Sequence, residues 1–215
     1  LTLLNEILVI NLQTRTELLE GLKNEQNTKT KITTLNLFNK LSEHSNFRTI
    51  ITKIIEPLSD TLMDLNKDCV SKTQNLFNIV YNKIDNPDIN PLVPYLIEAI
   101  SDNSKIPECI DKLSSTTFVQ NVDAETLSVI VPILLKTFQN ATNSVKRQTI
   151  VIIENMTKLV EDAYHALDFI DKLLPILNYA KNEIAEPEVR QVGERAFNHL
   201  VKIQTRGEEI KKERF

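Results

Sequence analysis

The residues that could do chemistry in this chain are few and far apart. His44, His165 and His199 are isolated, and the sequence contains no His-Glu-x-x-His, no paired Cys-x-x-Cys and no nucleophile elbow. Cys69 and Cys109 are its two cysteines, whereas secreted scaffolds that depend on disulfides use many more. These patterns argue against a metal centre or a catalytic site and favour a reducing compartment, which we expect to be the cytoplasm.

The phosphate-binding loop of an ATPase is also excluded within these residues. A phosphate-binding loop needs Gly-x-x-x-x-Gly-Lys followed by Ser or Thr, because only glycine lets the backbone amides close around phosphates. The three glycines are Gly21, Gly193 and Gly207, which cannot form this motif. We therefore expect no enzyme activity and no cofactor in this part of the chain.

Charge gives a stronger indication of binding. The formal net charge is -4 and the isoelectric point is near 5.5, so any nucleic-acid contact must be local. Residues 28–53 contain five basic residues against the single acid Glu43, and residues 85–126 contain eight acidic residues against two basic ones. The basic stretch is a candidate contact with nucleic-acid phosphate, and the acidic stretch a candidate contact with basic proteins. The open alternative is that both are ordinary solvated helix faces. The candidate binding residues of the basic stretch are Lys29, Lys31, Lys40, Arg48 and Lys53.

Three more basic residues follow the first valine of predicted helices. Val145-Lys146 and Val189-Arg190 occupy the same place in two repeats, and we expect Arg190 to bond the preceding turn or the neighbouring repeat. Arg147 is predicted to face outward and is added to the candidate binding residues.

Four prolines indicate the helices that must position these residues. Each stands in an apolar frame followed by a second helical stretch, and the successive intervals are 37, 38 and 43 residues. A helix pair repeating with this period is typical of HEAT or armadillo solenoids. The frames are Ile-Ile-Glu-Pro57-Leu, Leu-Val-Pro94-Tyr-Leu, Ile-Val-Pro132-Ile-Leu and Leu-Leu-Pro175-Ile-Leu.

The sequence thus predicts an all-α fold, a HEAT-repeat α-solenoid of about five antiparallel helix pairs. We expect one domain over residues 1–205, with an N-terminal pair that lacks the proline, and a linker over residues 206–215 that begins near a helix-ending Gly207. Helical periodicity upstream of Pro57 and Pro132 favours a bend inside a helix, the alternative being a harmless position in the first turn. No apolar stretch of eighteen residues exists, so no membrane partner is expected.

From about residue 115 to residue 203 the chain resembles the HEAT-repeat domain of the fungal translation elongation factor 3 family, and further upstream only the repeat pattern is shared. That family includes a prion-forming paralogue, and the ribosome-associated activator of a nutrient-sensing kinase carries a similar region. Its usual Arg-Gly-Leu-Asn run is replaced here by Thr137-Phe138-Gln139-Asn140. The resemblance is carried by Ser115-Thr116-Thr117-Phe118-Val119, Val131-Pro132-Ile133-Leu134, Lys146-Arg147-Gln148-Thr149, Val151-Ile152-Ile153-Glu154-Asn155-Met156, Lys158-Leu159-Val160-Glu161-Asp162 and Ala185-Glu186-Pro187-Glu188-Val189-Arg190.

The resemblance implies a cytosolic ATPase with two ABC cassettes whose HEAT domain docks on the ribosome. ATP and Mg would belong to C-terminal ABC domains acting in cis, outside these residues, and the parent would assist elongation, termination or release of tRNA from the exit site. The chain begins at Leu1, so we expect a fragment of such a protein. Two alternatives stay open: the corresponding region of the kinase activator, and a HEAT adaptor that binds only proteins.

Overall fold

The computed structural model describes residues 12–23, 27–43 and 47–214, and helices dominate throughout these ranges. The first residues of the chain and His44 lie outside them. Within the described residues there is no β-strand, and Val122 and Val160 form one isolated parallel bridge. The α-helices are α1 (Leu12–Lys23), α2 (Thr28–Leu41), α3 (Arg48–Thr61), α4 (Lys67–Asn82), α5 (Val93–Ser101), α6 (Ile106–Ser115), α7 (Ala124–Asn140), α8 (Asn143–Thr157), α9 (Ala163–Glu183) and α10 (Pro187–Arg214). Two 3-10 helices, Asn90–Leu92 and Asn103–Lys105, precede α5 and α6.

The chain divides between Asp85 and Asn86 into two compact units. In the first unit α1 pairs with α2 and α3 pairs with α4, and the pairs stack because α1 contacts α3 and α2 contacts α4. We call the first helices of the pairs the A layer and the second helices the B layer. The A-layer helix of one pair thus contacts the A-layer helix of the next pair, and the B-layer helices do the same, which is how HEAT repeats stack.

The second unit follows the same rule over three pairs. Its pairs are α5 with α6, α7 with α8, and α9 with α10. In the A layer α7 contacts both α5 and α9, and in the B layer α8 contacts both α6 and α10. The predicted all-α HEAT-repeat fold is confirmed, with two stacked helix pairs in the first unit and three in the second.

Short polar side chains cap the N-termini of several helices. Asn66 Oδ1 accepts hydrogen bonds from the backbone N–H groups of Asp68 and Cys69 at the start of α4. Asp123 does the same for Thr126 at α7, and Asp162 for the first turn of α9. Such caps satisfy backbone donors that have no partner inside the helix. The frequent asparagine and aspartate residues at the turns therefore define where helices begin.

The prolines occupy two different helix positions. Pro57, Pro132 and Pro175 lie inside α3, α7 and α9, so the predicted interior position is confirmed for Pro57 and Pro132. Pro94 lies instead in the first turn of α5, where its missing N–H costs nothing. An interior proline is therefore not repeated in every pair.

Gly207 does not end a helix, and this expectation was wrong. Helix α10 continues through it to Arg214, and the glycine is buried against the start of α9. A Cβ atom at this position would lie 2.7 Å from the carbonyl oxygen of Ala163 and 2.8 Å from a methyl carbon of Leu167. The glycine is present because two helices approach closely, not because the chain turns. The boundary drawn at residue 205 and the linker beyond it stay predictions.

Candidate functional site

The B layer of the first unit presents a basic stripe on α2. Lys29 and Lys40 are exposed, and so are Thr33 and Asn36 between them. Eleven residues make three helical turns, so the two ammonium groups share one face and their backbones lie about 16 Å apart. Helix α2 has no acidic residue. The stripe can therefore attract an anionic surface without competition from its own helix.

Helix α4 extends this surface in the same layer. It contacts α2, and its exposed side chains are mostly amides and hydroxyls. Its one acidic residue, Asp68, lies 3.8 Å from Lys72. Amides, hydroxyls and lysines are the side chains that contact phosphate and sugar oxygens. We call this surface the lysine–amide face: Lys29, Thr33, Asn36, Lys40, Lys67, Ser71, Gln74, Asn75, Asn78 and Asn82.

Lys31 is not on this face, although the sequence grouped it with Lys29 and Lys40. Two residues along a helix is a rotation of about 200°, which turns Lys31 toward the neighbouring pair. Its Nζ lies 2.7 Å from the Asp64 carboxylate, and each side chain is only 12% exposed. The hydrogen bond from Lys31, with another from the Asn66 backbone, lowers the pKa of Asp64. Lys31 therefore joins the two helix pairs.

Arg48 and Lys53 lie on α3, in the other layer. Lys53 is exposed and Arg48 is half-buried, and exposed Glu56 and Asp60 lie on the same helix as Lys53. Lys53, Glu56 and Asp60 fall at spacings of three and four, so they share one mixed face. The structure thus places these two candidates apart from Lys29 and Lys40, in a layer where acidic side chains reduce the positive potential.

Arg147 belongs to the second unit and is exposed near the start of α8. It lines a cleft with Asn143, Ser144 and the acidic residues Glu186 and Glu188. The Asn143 side chain donates a hydrogen bond to Glu186, and this bond lowers the pKa of Glu186. The outward orientation predicted for Arg147 is confirmed, but its surroundings are mixed in charge.

The two basic residues next to the valines have structural partners. Arg190 Nη1 donates hydrogen bonds of 2.8 and 2.6 Å to the carbonyl oxygens of Ile184 and Ala185. The predicted bond to the preceding turn is confirmed. Lys146 Nζ lies 5.8 Å from the ring centre of Tyr179 on the next pair, within the range of a cation–π contact.

Sequence reasoning missed an ion pair between pairs of the second unit. Glu154 on α8 is 4% exposed, and both of its oxygens accept 2.9 Å hydrogen bonds from Arg195 Nε on α10. Lys158 Nζ adds a third contact at 2.9 Å. Burial raises the pKa of Glu154, but the hydrogen bonds from Arg195 and Lys158 outweigh it, so the pKa ends below its ordinary value. The sequence did contain a signal for this ion pair, because Glu154 interrupts the apolar run of α8 and Arg195 follows about one repeat later.

Three of the eight acidic residues of the acidic stretch accept structural hydrogen bonds. The Asp88 carboxylate accepts hydrogen bonds of 2.7 and 2.8 Å from the backbone N–H groups of Val119 and Gln120. Asp102 and Asp123 accept hydrogen bonds from backbone N–H groups at Ser104 and Thr126. All three aspartates thus have a structural role, which is local for Asp102 and Asp123 and joins distant segments for Asp88.

Both cysteines of the chain are free and buried. Burial raises the pKa of both thiols, that of Cys109 to about 12, so neither is a reactive thiolate. Across residues 12–23, 27–43 and 47–214 no group of three His, Cys, Asp or Glu side chains is arranged to hold a metal ion. Within the same ranges no helix has the length and apolar character required to span a bilayer.

Comparison with known proteins identifies the family. Residues 104–211 match the profile described as the elongation factor 3/GNC1 HEAT repeat. The chain is 39% identical over 153 residues to elongation factor 3 of Pneumocystis carinii, covering 71% of this chain and 15% of that protein. It is 35% identical over 185 residues to elongation factor 3 of Phytophthora infestans, covering 85% of this chain and 18% of the relative. For elongation factor 3A of Saccharomyces cerevisiae the identity is 37% over 157 residues, covering 73% and 15%.

The matches thus cover less than a fifth of each relative's length. They agree with the stacked helix pairs of both units and with the motifs between residues 115 and 203. The chain belongs to the elongation factor 3/GNC1 HEAT-repeat family.

Proposed function

We propose that this chain is a non-catalytic scaffold that binds the ribosome, within a longer elongation-factor-3-like protein of the cytoplasm. The parent would carry the ATP- and Mg-binding ABC cassettes and would act in elongation, termination or release of tRNA from the exit site. The relatives named above are elongation factors, which supports this parent over the kinase activator.

The lysine–amide face is the observation that carries the proposal. It combines lysines with neutral hydrogen-bonding side chains, and the single carboxylate of α2 and α4, Asp68, lies beside Lys72. Because the whole chain has a net charge of -4, binding to RNA requires such a local concentration of positive charge. The face suits contacts with the sugar–phosphate backbone, which position a protein without reading sequence. The mixed A-layer face of α3 would point away from the RNA.

The test is ribosome binding by a variant with two reversed charges. Lys29→Glu with Lys40→Glu should weaken co-sedimentation of the 215-residue chain with purified ribosomes by at least about tenfold, because two phosphate contacts are replaced by repulsion. The slope of log affinity against log salt should fall by about one for each lysine. Both side chains are exposed, so the helical circular dichroism should not change.

The matched control is Lys53→Glu with Lys202→Glu, which changes the net charge equally at exposed positions of α3 and α10. It should bind ribosomes nearly as well as the wild type. If both double variants lose affinity equally, the effect is one of net charge and the face is not the binding surface. If the unaltered chain does not co-sediment at low salt, the proposal as a whole fails.

A further inference from the structure

The turn between α3 and α4 exposes two large apolar side chains. Leu65 is 101% exposed and Met63 is 57% exposed, while the neighbouring Leu62 is buried at 8%. A short solvated connection has no need of aliphatic side chains, since turns are built from Gly, Pro, Asn, Asp and Ser. We call residues 62–66 the apolar turn.

The polar residue of this turn points inward and the apolar residues point outward. Asp64, between Met63 and Leu65, forms the 2.7 Å ion pair with Lys31 of α2. Its other oxygen accepts a 2.9 Å hydrogen bond from the backbone N–H of Asn66, and Asn66 in turn caps α4. In most turns the polar side chains face water, whereas here the bonds to Lys31 and Asn66 hold the Asp64 carboxylate inside and leave Met63 and Leu65 exposed.

These bonds also fix the turn in place. The backbone N–H groups of Met63 and Asp64 donate to the carbonyl oxygens of Asp60 and Thr61, which continues the end of α3. Met63 and Leu65 are thus held on a preformed element, so little conformational entropy is lost when they are buried by a partner. Exposed apolar side chains on a rigid element mark a protein contact when they cluster.

The charges around the turn select the class of partner. Exposed charges of both signs flank it, Asp60 on the α3 side and Lys67 with Asp68 on the α4 side. Aliphatic side chains offer no hydrogen bond to RNA phosphate or to a lipid headgroup, and charges of both signs match a protein surface better than a uniformly anionic one. A protein surface with an apolar pocket and charged residues of both signs at its rim satisfies both the side chains and the charges.

We propose that Met63 and Leu65 insert into an apolar pocket on a protein component of the ribosome, beside the contact that the lysine–amide face makes with RNA. This inference rests on the proposed function. It adds a second contact of different chemistry, which depends on burial of apolar surface and therefore little on salt.

The test combines substitution with crosslinking on purified ribosomes. Met63→Gln with Leu65→Gln should weaken co-sedimentation by about tenfold to a hundredfold, because burial of two aliphatic side chains is lost. In contrast to the lysine variants, the salt slope should stay that of the wild type. A photoactivatable leucine analogue at position 65 should crosslink to ribosomal protein. The control is Val119→Gln, which removes another exposed apolar side chain, 63% exposed, from the second unit.

The outcomes separate the two proposals. If the wild type does not bind ribosomes, both fail. If the wild type binds and the Met63 and Leu65 variant binds equally well, the apolar turn fails alone. Crosslinking of position 65 to RNA, or binding to phosphatidylserine vesicles that this variant abolishes, would also overturn the proposed protein contact.

Discussion

Glu154 shows how one residue links two helix pairs. Its buried carboxylate is shared by Arg195 of the next pair and Lys158 of its own helix, with contacts of 2.8 to 2.9 Å. The Arg195 side chain is 62% exposed, so the pair has one buried member and one at the surface. Removing the Glu154 carboxylate takes away the shared acceptor of Arg195 and Lys158. Removing Arg195 instead would take away the member of the pair that lies at the surface.

We expect Glu154→Ala to lower the free energy of unfolding by about 2 kcal/mol, the usual contribution of hydrogen bonds to a charged group. Chemical denaturation followed by circular dichroism measures the change. The control is Glu194→Gln, an exposed carboxylate next to Arg195, which should change the stability by less than about 0.5 kcal/mol. Equal effects in the two variants would show that Glu154 is not a link between pairs.

The same ion pair predicts a dependence on pH. Because the pKa of Glu154 is lower in the folded protein, its contribution to stability is present above the unfolded pKa of about 4.3 and is lost as the pH falls through the folded value. Between pH 5 and pH 3 the wild type should therefore lose more stability than Glu154→Gln, which cannot ionise. Parallel curves of stability against pH for the two proteins would contradict this assignment.

At the scale of the element, α10 shows that a helix can continue where composition suggests an end. Its last turns are held by the close approach of Gly207 to Ala163 and Leu167. Arg214 completes the contact, 3.3 Å from Asp162 and 5.0 Å from the ring centre of Tyr164. These contacts hold the end of α10 against the start of α9.

Gly207→Ala should destabilise the protein, although alanine stabilises an ordinary helix interior by about 1 kcal/mol relative to glycine. The added methyl group would lie 2.7 Å from a backbone oxygen, so α9 and α10 must move apart. Hydrogen exchange should become faster in residues 203–214 and at the start of α9. The control, Lys202→Ala, lies at an exposed position of the same helix and should leave exchange unchanged. Slower exchange in Gly207→Ala would refute the close-packing explanation.

At the scale of the whole molecule, both units are built by one stacking rule, A layer on A layer and B layer on B layer. In such arrays each repeat is stabilised mainly by its nearest neighbours. Helix α8 is the middle helix of the B layer in the second unit and contacts both α6 and α10. A cavity in α8 should therefore affect the helices on both sides.

We expect Ile153→Ala, at a position with 0% exposure, to cost about 2 to 5 kcal/mol in the second unit. Hydrogen exchange should become faster in α6, α8 and α10 together. Asn155→Ala, at an exposed position of α8, is the control and should change none of them. An effect confined to α8 would mean that the pairs are stabilised independently.

The sequence by itself determined the helices and their repeat, because periodicity, capping residues and proline position act over a few residues. The periodicity upstream of Pro57 and Pro132 predicted that both prolines lie inside helices, and they do, in α3 and α7. Lack of the glycines for a phosphate loop and the family motifs are also properties of the chain alone. Gly207 was misread because composition cannot distinguish a glycine that ends a helix from one that permits close packing.

Only the tertiary structure decided which charged residues form a surface. Counting charges placed Lys31 with Lys29 and Lys40, but stacking of the helix pairs turns Lys31 toward Asp64, 33 residues further along the chain. The contact between Glu154 and Arg195 spans 41 residues and depends on the same stacking. Such partners are separated by a whole repeat, so their pairing depends on how neighbouring pairs pack. Local sequence determines that a helix forms and leaves open what its faces will meet.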